Sequence, residues 1–257
     1  MTAVLDSLRA AGIQTQQESW DSDAAIIWSV LWHGRMAANK QVYDHYRKLN
    51  RPVIVVEVGA LIRGQTWKVA VNNTTAQGYY GHRENLDQDR SKKLGIELSA
   101  PVTSNPGILI AAQHSSSLQV AGLGQEVWIN KIIQELKQVT DRVVYIRPHP
   151  RQTLDLKQLP NDVCIQRPAK LANTYDSYDI NFNYHAVINY NSGPGIQAAI
   201  FGSRPVVDQS SLAYPVGVDI KNIEKSYDID RHQWLTEICH TEYTVDELKR
   251  GLWLQRI

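Results

Sequence analysis

Residues Ala186–Val207 read AVINYNSGPGIQAAIFGSRPVV, and this stretch is the strongest indication of the fold. An apolar segment runs into a turn with two glycines and a proline, and a helical pattern through Ile196 and Ile200 begins at once. Glycine permits sharp turns and close ligand approach, and proline suits a first helical turn. A second β-branched segment starts at Pro205, so the stretch predicts strand, turn, helix and strand of a parallel sheet. The helix start beside Ser192 favours phosphate binding, although a tight turn that merely needs glycine explains the same pattern.

The same alternation extends on both sides of this stretch. Apolar, β-branched runs predict strands, and periodic apolar positions predict helices between them. The predicted strands are 24–32, 53–57, 66–71 (an edge or antiparallel strand), 107–112, 142–146 and 163–166, and the predicted helices are 36–49 and 125–139.

We therefore expect an α/β fold of two Rossmann-like lobes, 1–104 and 105–257, with parallel sheets facing a central cleft. The segment PVTSNP, 101–106, marks the boundary. Residues 231–257 are expected to form a C-terminal helical extension, in which Thr244 and Glu247 make a capping box.

The net charge and the cysteine count exclude several classes of protein. The chain has 257 residues, a formal net charge of +1 and two cysteines, which argues against an acidic or strongly basic chain and against a disulfide scaffold. No run of about 18 apolar residues and no signal peptide is found, so we expect a soluble, cytoplasmic protein that does not bind a membrane. Any contact with nucleic acid must be local, because the overall charge is near zero.

A cationic cluster ends the predicted strand in VVYIRPHPR, 143–151. Arg147, His149 and Arg151 lie at the carboxyl end of this strand, where cationic groups make an anion site. The prolines between them favour an extended path that directs Arg147 and His149 to one side. A local backbone cap by His149 and a solvated Arg151 are the alternatives.

Polar residues also follow the strand at 107–112. The run QHSSS places His114, Ser115 and Ser116 at the usual ligand edge. A ligand loop is favoured over a hydrolase site, because no Gly-x-Ser-x-Gly elbow is present. In the first lobe, Glu57 ends a strand and is a candidate general base, and His33 with Gly34 occupies the equivalent place after the preceding strand.

The pairing of YIRPHPR with NSGPGIQAAIFGSRPVV about forty residues later resembles the donor lobe of GT-B glycosyltransferases. The HP-plus-SG pairing is also similar to capsule-polysaccharide transferases that use an activated keto-sugar. The resemblance implies a nucleotide-sugar donor, expected to be a UDP-sugar, with no tightly bound cofactor and no required metal. It implies catalytic roles for Glu57, His149 and Arg147. The implied donor-binding residues are His114, Ser115, Ser116, Arg151, Gln166, Arg167, Asn191, Ser192, Gly193, Gly195 and Gln197.

The first lobe resembles small bacteriophage-encoded glycosyltransferases that decorate hydroxymethylated pyrimidines in DNA. That resemblance implies double-stranded DNA as a partner and, for a phage protein, the host cytoplasm as its location. Residues 63–93 hold six Lys or Arg against three Asp or Glu beside aromatic rings that can stack on bases. The expected acceptor-side residues are His33, Gly34, Arg63, Trp67, Tyr80 and His82.

Four functions follow from these patterns. The first is transfer of a sugar from a nucleotide-sugar to an acceptor hydroxyl, with a hydroxymethylated base in phage DNA as the expected acceptor. The alternatives are a capsule or lipopolysaccharide sugar transferase, a nucleotide-sugar epimerase of the same fold, and a non-catalytic DNA-binding module.

Overall fold

The structure of the protein is a computed structural model that describes residues 1–104, 106–120, 122–155, 159–161, 163–172 and 178–257. Asn105 of the expected hinge lies outside the described residues. The chain divides into two compact units: unit 1 comprises Met1–Arg90 and Thr236–Ile257, and unit 2 comprises Ser91–Leu235. The last 22 residues therefore belong with the first unit, whereas the sequence suggested that they extend the second.

Unit 1 is built on a four-stranded mixed sheet. Its strands are β1 (Ala25–Trp28), β2 (Val53–Val58), β3 (Thr66–Val71) and β11 (Glu242–Thr244), in the order β1-β2-β3-β11. Only β1 and β2 run parallel, because β3 is antiparallel to both β2 and β11. The antiparallel alternative for the strand at 66–71 is therefore confirmed, whereas the expectation of a wholly parallel sheet in this lobe is wrong. The helices of the unit are α1 (Thr2–Ala10), α2 (Asn39–Lys48) and α7 (Val245–Lys249).

The C-terminal segment closes the core of unit 1. Trp253 is fully buried, and its indole N–H donates to the Ser7 hydroxyl on α1 at 3.0 Å. Val56, Val69 and Tyr243 from three neighbouring strands pack in the same cluster. A buried tryptophan of this kind contributes a few kcal/mol through the apolar surface that it removes from water.

Two local predictions for this unit have clear outcomes. The capping box is confirmed, since Thr244 Oγ1 accepts the Glu247 N–H and Glu247 accepts the Thr244 N–H. The strand expected at 24–32 ends at Trp28, because Ser29 takes a left-handed φ of 67° and turns the chain out of the sheet.

Unit 2 is built on a five-stranded parallel sheet in the order β10-β9-β4-β5-β6. The strands are β4 (Ile108–Ala111), β5 (Val144–Arg147), β6 (Cys164–Ile165), β9 (Ala186–Ile188) and β10 (Arg204–Val206). A separate two-stranded sheet pairs β7 (Ala169–Lys170) with β8 (Tyr178–Asp179). The main helices are α4 (Gln125–Leu136) and α5 (Gly193–Ile200).

Both faces of the parallel sheet are covered. Ile108 and Ile110 pack with Ile129 and Ile133 of α4, whereas the alternate residue Leu109 packs with Ala198 of α5 on the other face. The doubly wound parallel sheet is thus confirmed for this unit. Two further helices, α3 (Arg90–Lys93) and α6 (His232–Cys239), lie at the limits of the two units. The cleft between two lobes stays a prediction.

Candidate functional site

The strand order of unit 2 places a switch point between β4 and β9. From β4 the chain builds outward through β5 and β6, and it then returns to the other side of β4 with β9 and β10. In open α/β sheets, ligands bind outside the carboxyl ends of the strands at such a point, because the two connections leave toward opposite faces. The loops after β4 and β9 are therefore where a ligand of unit 2 should bind.

Two buried amides join those loops across the switch point. Gln113 follows β4 and Asn191 follows β9; the Gln113 amide donates to Asn191 Oδ1 at 3.0 Å, and the Asn191 N–H donates to Gln113 Oε1 at 2.8 Å. The Asn191 amide also donates to the Gln119 carbonyl at 3.1 Å and to the Ser210 hydroxyl at 3.0 Å. Buried amides with several partners fix the backbone that carries them, so this edge of the sheet is preorganised.

The turn after β9 opens α5 without a side-chain cap. Ser192 is the N-cap residue, but its hydroxyl accepts the Asn189 amide at 2.8 Å and does not cap the helix. A Cβ on Gly195 would lie 2.8 Å from Asn189 Oδ1, so only glycine fits there. The first turn of an eight-residue helix, with its positive dipole end, thus opens at the carboxyl edge of the sheet and suits an anion.

Two imidazoles lie at the same edge in a defined orientation. The His114 and His149 ring centres are 5.2 Å apart and nearly perpendicular. His114 Nδ1 accepts the Ser116 N–H at 3.1 Å, and His149 Nδ1 accepts the Arg151 N–H at 3.2 Å. In the neutral rings the proton therefore resides on Nε2, so each imidazole can donate a hydrogen bond through Nε2.

The loops after β4 and β5 are also tied together. The Ser115 N–H donates to Gln152 Oε1 at 2.6 Å. His114 is buried, His149 is half-buried, and Ser115 and Arg151 are exposed. The structure thus brings the predicted residues of these two loops and of the β9–α5 turn to one edge of one sheet.

Arg147 is the last residue of β5, and its side chain has contacts of a different kind. The pleat of the strand turns the Arg147 side chain onto the sheet face beneath Phe182 and Tyr184, whose ring centres are 5.4 and 5.9 Å from its guanidinium carbon. It donates to the Asn181 carbonyl at 2.8 Å and is 7% exposed. These contacts favour a packing role over the predicted phosphate contact and differ from those of His149.

The remaining predicted donor residues lie on the β4 loop, after β6 and on α5. Gln166 follows β6, and its side-chain oxygen accepts the Tyr184 hydroxyl at 2.5 Å. Arg167 is exposed beside it. Gln197 is half-buried one turn into α5, and Ser116 is half-buried in the loop after β4.

In unit 1, Glu57 lies near the carboxyl end of β2 and is held by the chain around it. Its Oε2 accepts the Ser29 hydroxyl at 2.8 Å and the Val30 N–H at 3.2 Å, and its Oε1 accepts the Val58 N–H at 3.0 Å. Ser29 and Val30 directly follow β1, the parallel neighbour of β2. The half-buried carboxylate is therefore fixed in place, as a general base requires.

The other predicted residues of this unit do not gather around Glu57. Trp67 packs on the opposite face of the sheet in the Trp253 cluster. His33, Gly34, Arg63 and His82 are exposed, whereas Tyr80 is partly buried and donates its hydroxyl to the Thr75 carbonyl at 3.0 Å. Burial raises the pKa of Tyr80 well above its usual value.

The cations of the basic stretch 63–93 are divided between buried and exposed positions. Lys68 and Arg90 are each 7% exposed. Arg90 makes paired contacts with the Glu247 carboxylate at 2.6 and 3.0 Å, and Arg83 contacts Glu237 at 3.4 Å with a side chain that is 83% exposed. Two of the six counted cations are thus buried, and the other four are exposed: Arg63, Arg83, Lys92 and Lys93.

Sequence reasoning missed a charged row across unit 1. Glu57 on β2 pairs with Lys68 on β3, and Lys68 pairs with Glu242 on β11, so the three side chains share one face. Burial lowers the pKa of Lys68, while the neighbouring Glu242 and Glu57 oppose that shift. Local patterns cannot reveal this row, because the residues are far apart in the chain and only the register joins them.

The described part of the chain contains neither a candidate metal site nor a candidate membrane-spanning helix. No group of three or more His, Cys, Asp or Glu residues is placed there to hold a metal ion. No helix in it combines the length and the apolar character needed to span a membrane.

Comparison with solved structures identifies two similar enzymes from Thermosulfurimonas dismutans. One is KpsC, β-Kdo 2,7 transferase, with a TM-score of 0.55 and 13% identity over 100% of this chain and 97% of that chain. The other is KpsC, β-Kdo 2,4 transferase, with a TM-score of 0.51 and 10% identity over 97% and 93%. No protein-family model and no curated protein matches the sequence.

At these identities the likeness shows a shared fold. It supports the expected α/β class with parallel strands. No comparison supports the resemblance to phage enzymes that modify DNA.

Proposed function

We propose that the protein is a glycosyltransferase that moves an acidic keto-sugar from a nucleotide to a hydroxyl of a glycan acceptor. One observation supports the proposal: the uncapped start of α5 and the loops that carry His114 and His149 all follow strands at the carboxyl edge of one sheet, in a fold shared with Kdo transferases. The capsule-type alternative thereby replaces DNA as the favoured acceptor class.

The donor phosphate would bind at the first turn of α5. The Gly193 N–H and the helix dipole favour a negative charge there. His149 Nε2–H, and His114 beside it, would donate hydrogen bonds to the phosphate oxygens as negative charge develops on the departing nucleotide. Arg147 would act indirectly, by stabilising the sheet face under the β5 loop.

Glu57 would be the base on the acceptor side. In the transfer, the acceptor oxygen forms a bond to the anomeric carbon while the bond from that carbon to the phosphate oxygen breaks. The acceptor proton passes to Glu57, and the bonding pair leaves with the nucleotide. Three hydrogen bonds hold the Glu57 carboxylate, which reduces the reorganisation needed for this step.

The similar structures support a keto-sugar donor, and contacts in unit 1 argue against the epimerase and DNA alternatives. Kdo is an acidic keto-sugar, and both neighbours transfer it according to their descriptions. An epimerase would need two carboxylates at the sugar, and the second carboxylate near Glu57, Glu242, is fully buried and has three donors already. The DNA acceptor has less support, because neither of the two similar enzymes is described as acting on DNA and because Lys68 and Arg90 of the basic stretch are buried within unit 1.

A transfer assay tests the proposal. Purified protein is incubated with UDP-, GDP- and CMP-linked sugars, including activated Kdo, and with a glycan acceptor mixture, and products are read by mass spectrometry. We expect transfer from activated Kdo, and at least about a hundredfold loss in His149→Ala, as for removal of an oxyanion-stabilising donor.

Two controls make that result specific. His232→Ala removes an exposed imidazole of unit 2 and should retain full activity. Glu57→Gln should lose transfer while still binding the nucleotide, because Glu57 belongs to unit 1. Transfer of a sugar only to hydroxymethylated DNA would refute the glycan acceptor, and absence of transfer from every donor would refute the proposal as a whole.

A further inference from the structure

The charged row of unit 1 contains a buried lysine whose neighbours bond elsewhere. Lys68 stands between Glu57 and Glu242 in the strand register and is 7% exposed. Such an alignment would normally give two ion pairs in the row. Neither forms.

Glu242 is turned toward the loop after β2. Its Oε1 accepts the Ala60 N–H at 2.7 Å, and its Oε2 accepts the Leu61 N–H at 3.0 Å and the Thr66 hydroxyl at 2.7 Å. Gly59 permits this wrapping, because a Cβ there would lie 2.3 Å from Glu242 Oε2. The carboxylate thus has three donors and fixes the loop.

Glu57 is turned toward the residues after β1. Its Oε2 has two donors, from Ser29 and Val30, whereas its Oε1 has one, the Val58 N–H. A carboxylate oxygen can accept two hydrogen bonds, so Glu57 Oε1 retains acceptor capacity. Glu57 is also less buried than Glu242.

The Lys68 ammonium group bonds to neither glutamate of the row. Among the described residues, its Nζ makes no hydrogen bond and no ion pair with either carboxylate, although both are near enough to act on its charge. Lys68 Nζ is not among the fully buried side-chain atoms that lack a hydrogen-bond partner, so it keeps contact with solvent at the surface of the row. A ligand oxygen that accepts from Nζ would replace that solvent contact.

We propose that Lys68 Nζ and Glu57 Oε1 form a subsite for two neighbouring hydroxyl groups of a neutral sugar acceptor. One hydroxyl oxygen accepts a hydrogen bond from Lys68, and the next hydroxyl donates to Glu57. This subsite rests on the proposed function and adds to it the residue that selects the acceptor.

The charge of the row explains the preference for a neutral ligand. Glu57, Lys68 and Glu242 together carry a formal charge of −1 when all three are ionised. A ligand carboxylate would gain from Lys68 but would be repelled by both glutamates. A sugar diol has donors and acceptors in one rigid unit and is repelled by neither.

Direct binding tests the subsite without any transfer reaction. Saturation-transfer NMR on the full-length protein would use neutral methyl pyranosides that differ in their diol stereochemistry, with methyl glucuronide as an acidic counterpart. We expect at least one neutral glycoside to bind, and Lys68→Met to reduce its affinity about tenfold or more. The exposed Lys40 of the same unit, which pairs with Asp44, provides the control Lys40→Met, expected to bind as the wild type does.

A failure of the subsite can be distinguished from a failure of the variant to fold and from a failure of the proposed function. Methionine matches the length of lysine and needs no counter-ion, so Lys68→Met should melt at the wild-type temperature or above it. Should Lys68→Met fail to fold, Glu57→Gln replaces it, with the same expected loss. Wild-type protein that binds no neutral glycoside, Lys68→Met protein that binds as the wild type does, or tighter binding of the glucuronide would each overturn the subsite. Binding without transfer from any donor would retain the subsite and refute only the proposed reaction.

Discussion

Replacing Asn191 by alanine should loosen the joined loops at the switch point of unit 2. The Asn191 side chain accepts from Gln113 and donates to the Gln119 carbonyl and the Ser210 hydroxyl. Alanine removes all three hydrogen bonds and leaves the Gln113 amide, itself 4% exposed, without that acceptor. The bonds to Gln119 and Ser210 are worth about 1 kcal/mol each and the orphaned Gln113 donor costs about 1–3 kcal/mol, so a loss of about 3–5 kcal/mol is expected.

Thermal unfolding followed by circular dichroism measures this loss. For a protein of this size, 1 kcal/mol shifts Tm by about 3 °C, so Tm should fall by about 9–15 °C. Asn222→Ala is the matched control, because Asn222 is exposed in the same unit and its loss should stay within about 0.5 kcal/mol. If Asn191→Ala lowers Tm no more than Asn222→Ala does, the amide network does not hold the loops.

Three further predictions concern unit 2 and the thiols. The Arg142 hydrogen bond holds the pKa of Glu224 at about 2, below 4.5, so this pair stabilises the fold above about pH 4.5 and loses its effect as the pH falls toward 2. Glu224→Gln should remove the stability that is lost in acid, about 1 kcal/mol because the Glu224 side chain is 40% exposed. Thermal unfolding at stepped pH measures this loss, and equal acid sensitivity of the wild-type and variant proteins would refute the role of the pair. Gly195→Ala should shift the turn before α5 and weaken nucleotide binding about tenfold or more in calorimetry, and unchanged affinity would mean that the turn does not contact the ligand. Burial raises the pKa of Cys239 to about 12, so iodoacetamide at pH 8 should label exposed Cys164 in the native protein and both thiols only in denaturant; rapid native labelling of Cys239 would contradict its burial.

The parts of the fold that local chemistry determines could be predicted from the sequence. The turn NSGPG carries its own requirement for glycine and proline, and the strand and helix on either side of it follow from apolar patterning. The capping box at Thr244 is equally local. The parallel sheet of unit 2 follows from the repeated alternation of such elements.

Features that depend on how distant strands pair could not be predicted from the sequence. The three-residue strand β11 has too little patterning to reveal that it pairs with β3, and this pairing adds a fourth strand to the sheet of unit 1. The same pairing aligns Lys68 with Glu242, which no local spacing indicates. Arg147 does end β5, as the sequence predicts, but its packing beside Phe182 and Tyr184 depends on contacts that no local spacing indicates.

Hydrogen–deuterium exchange with and without a nucleotide-sugar tests the central claim most directly. The account predicts that the donor slows exchange at residues 113–117, 148–152 and 191–195, the three loops at the carboxyl edge of the sheet of unit 2. His149→Ala should abolish that protection at the same donor concentration, whereas His232→Ala should preserve it. Protection confined to other segments of the bound protein would contradict the assignment of the donor site.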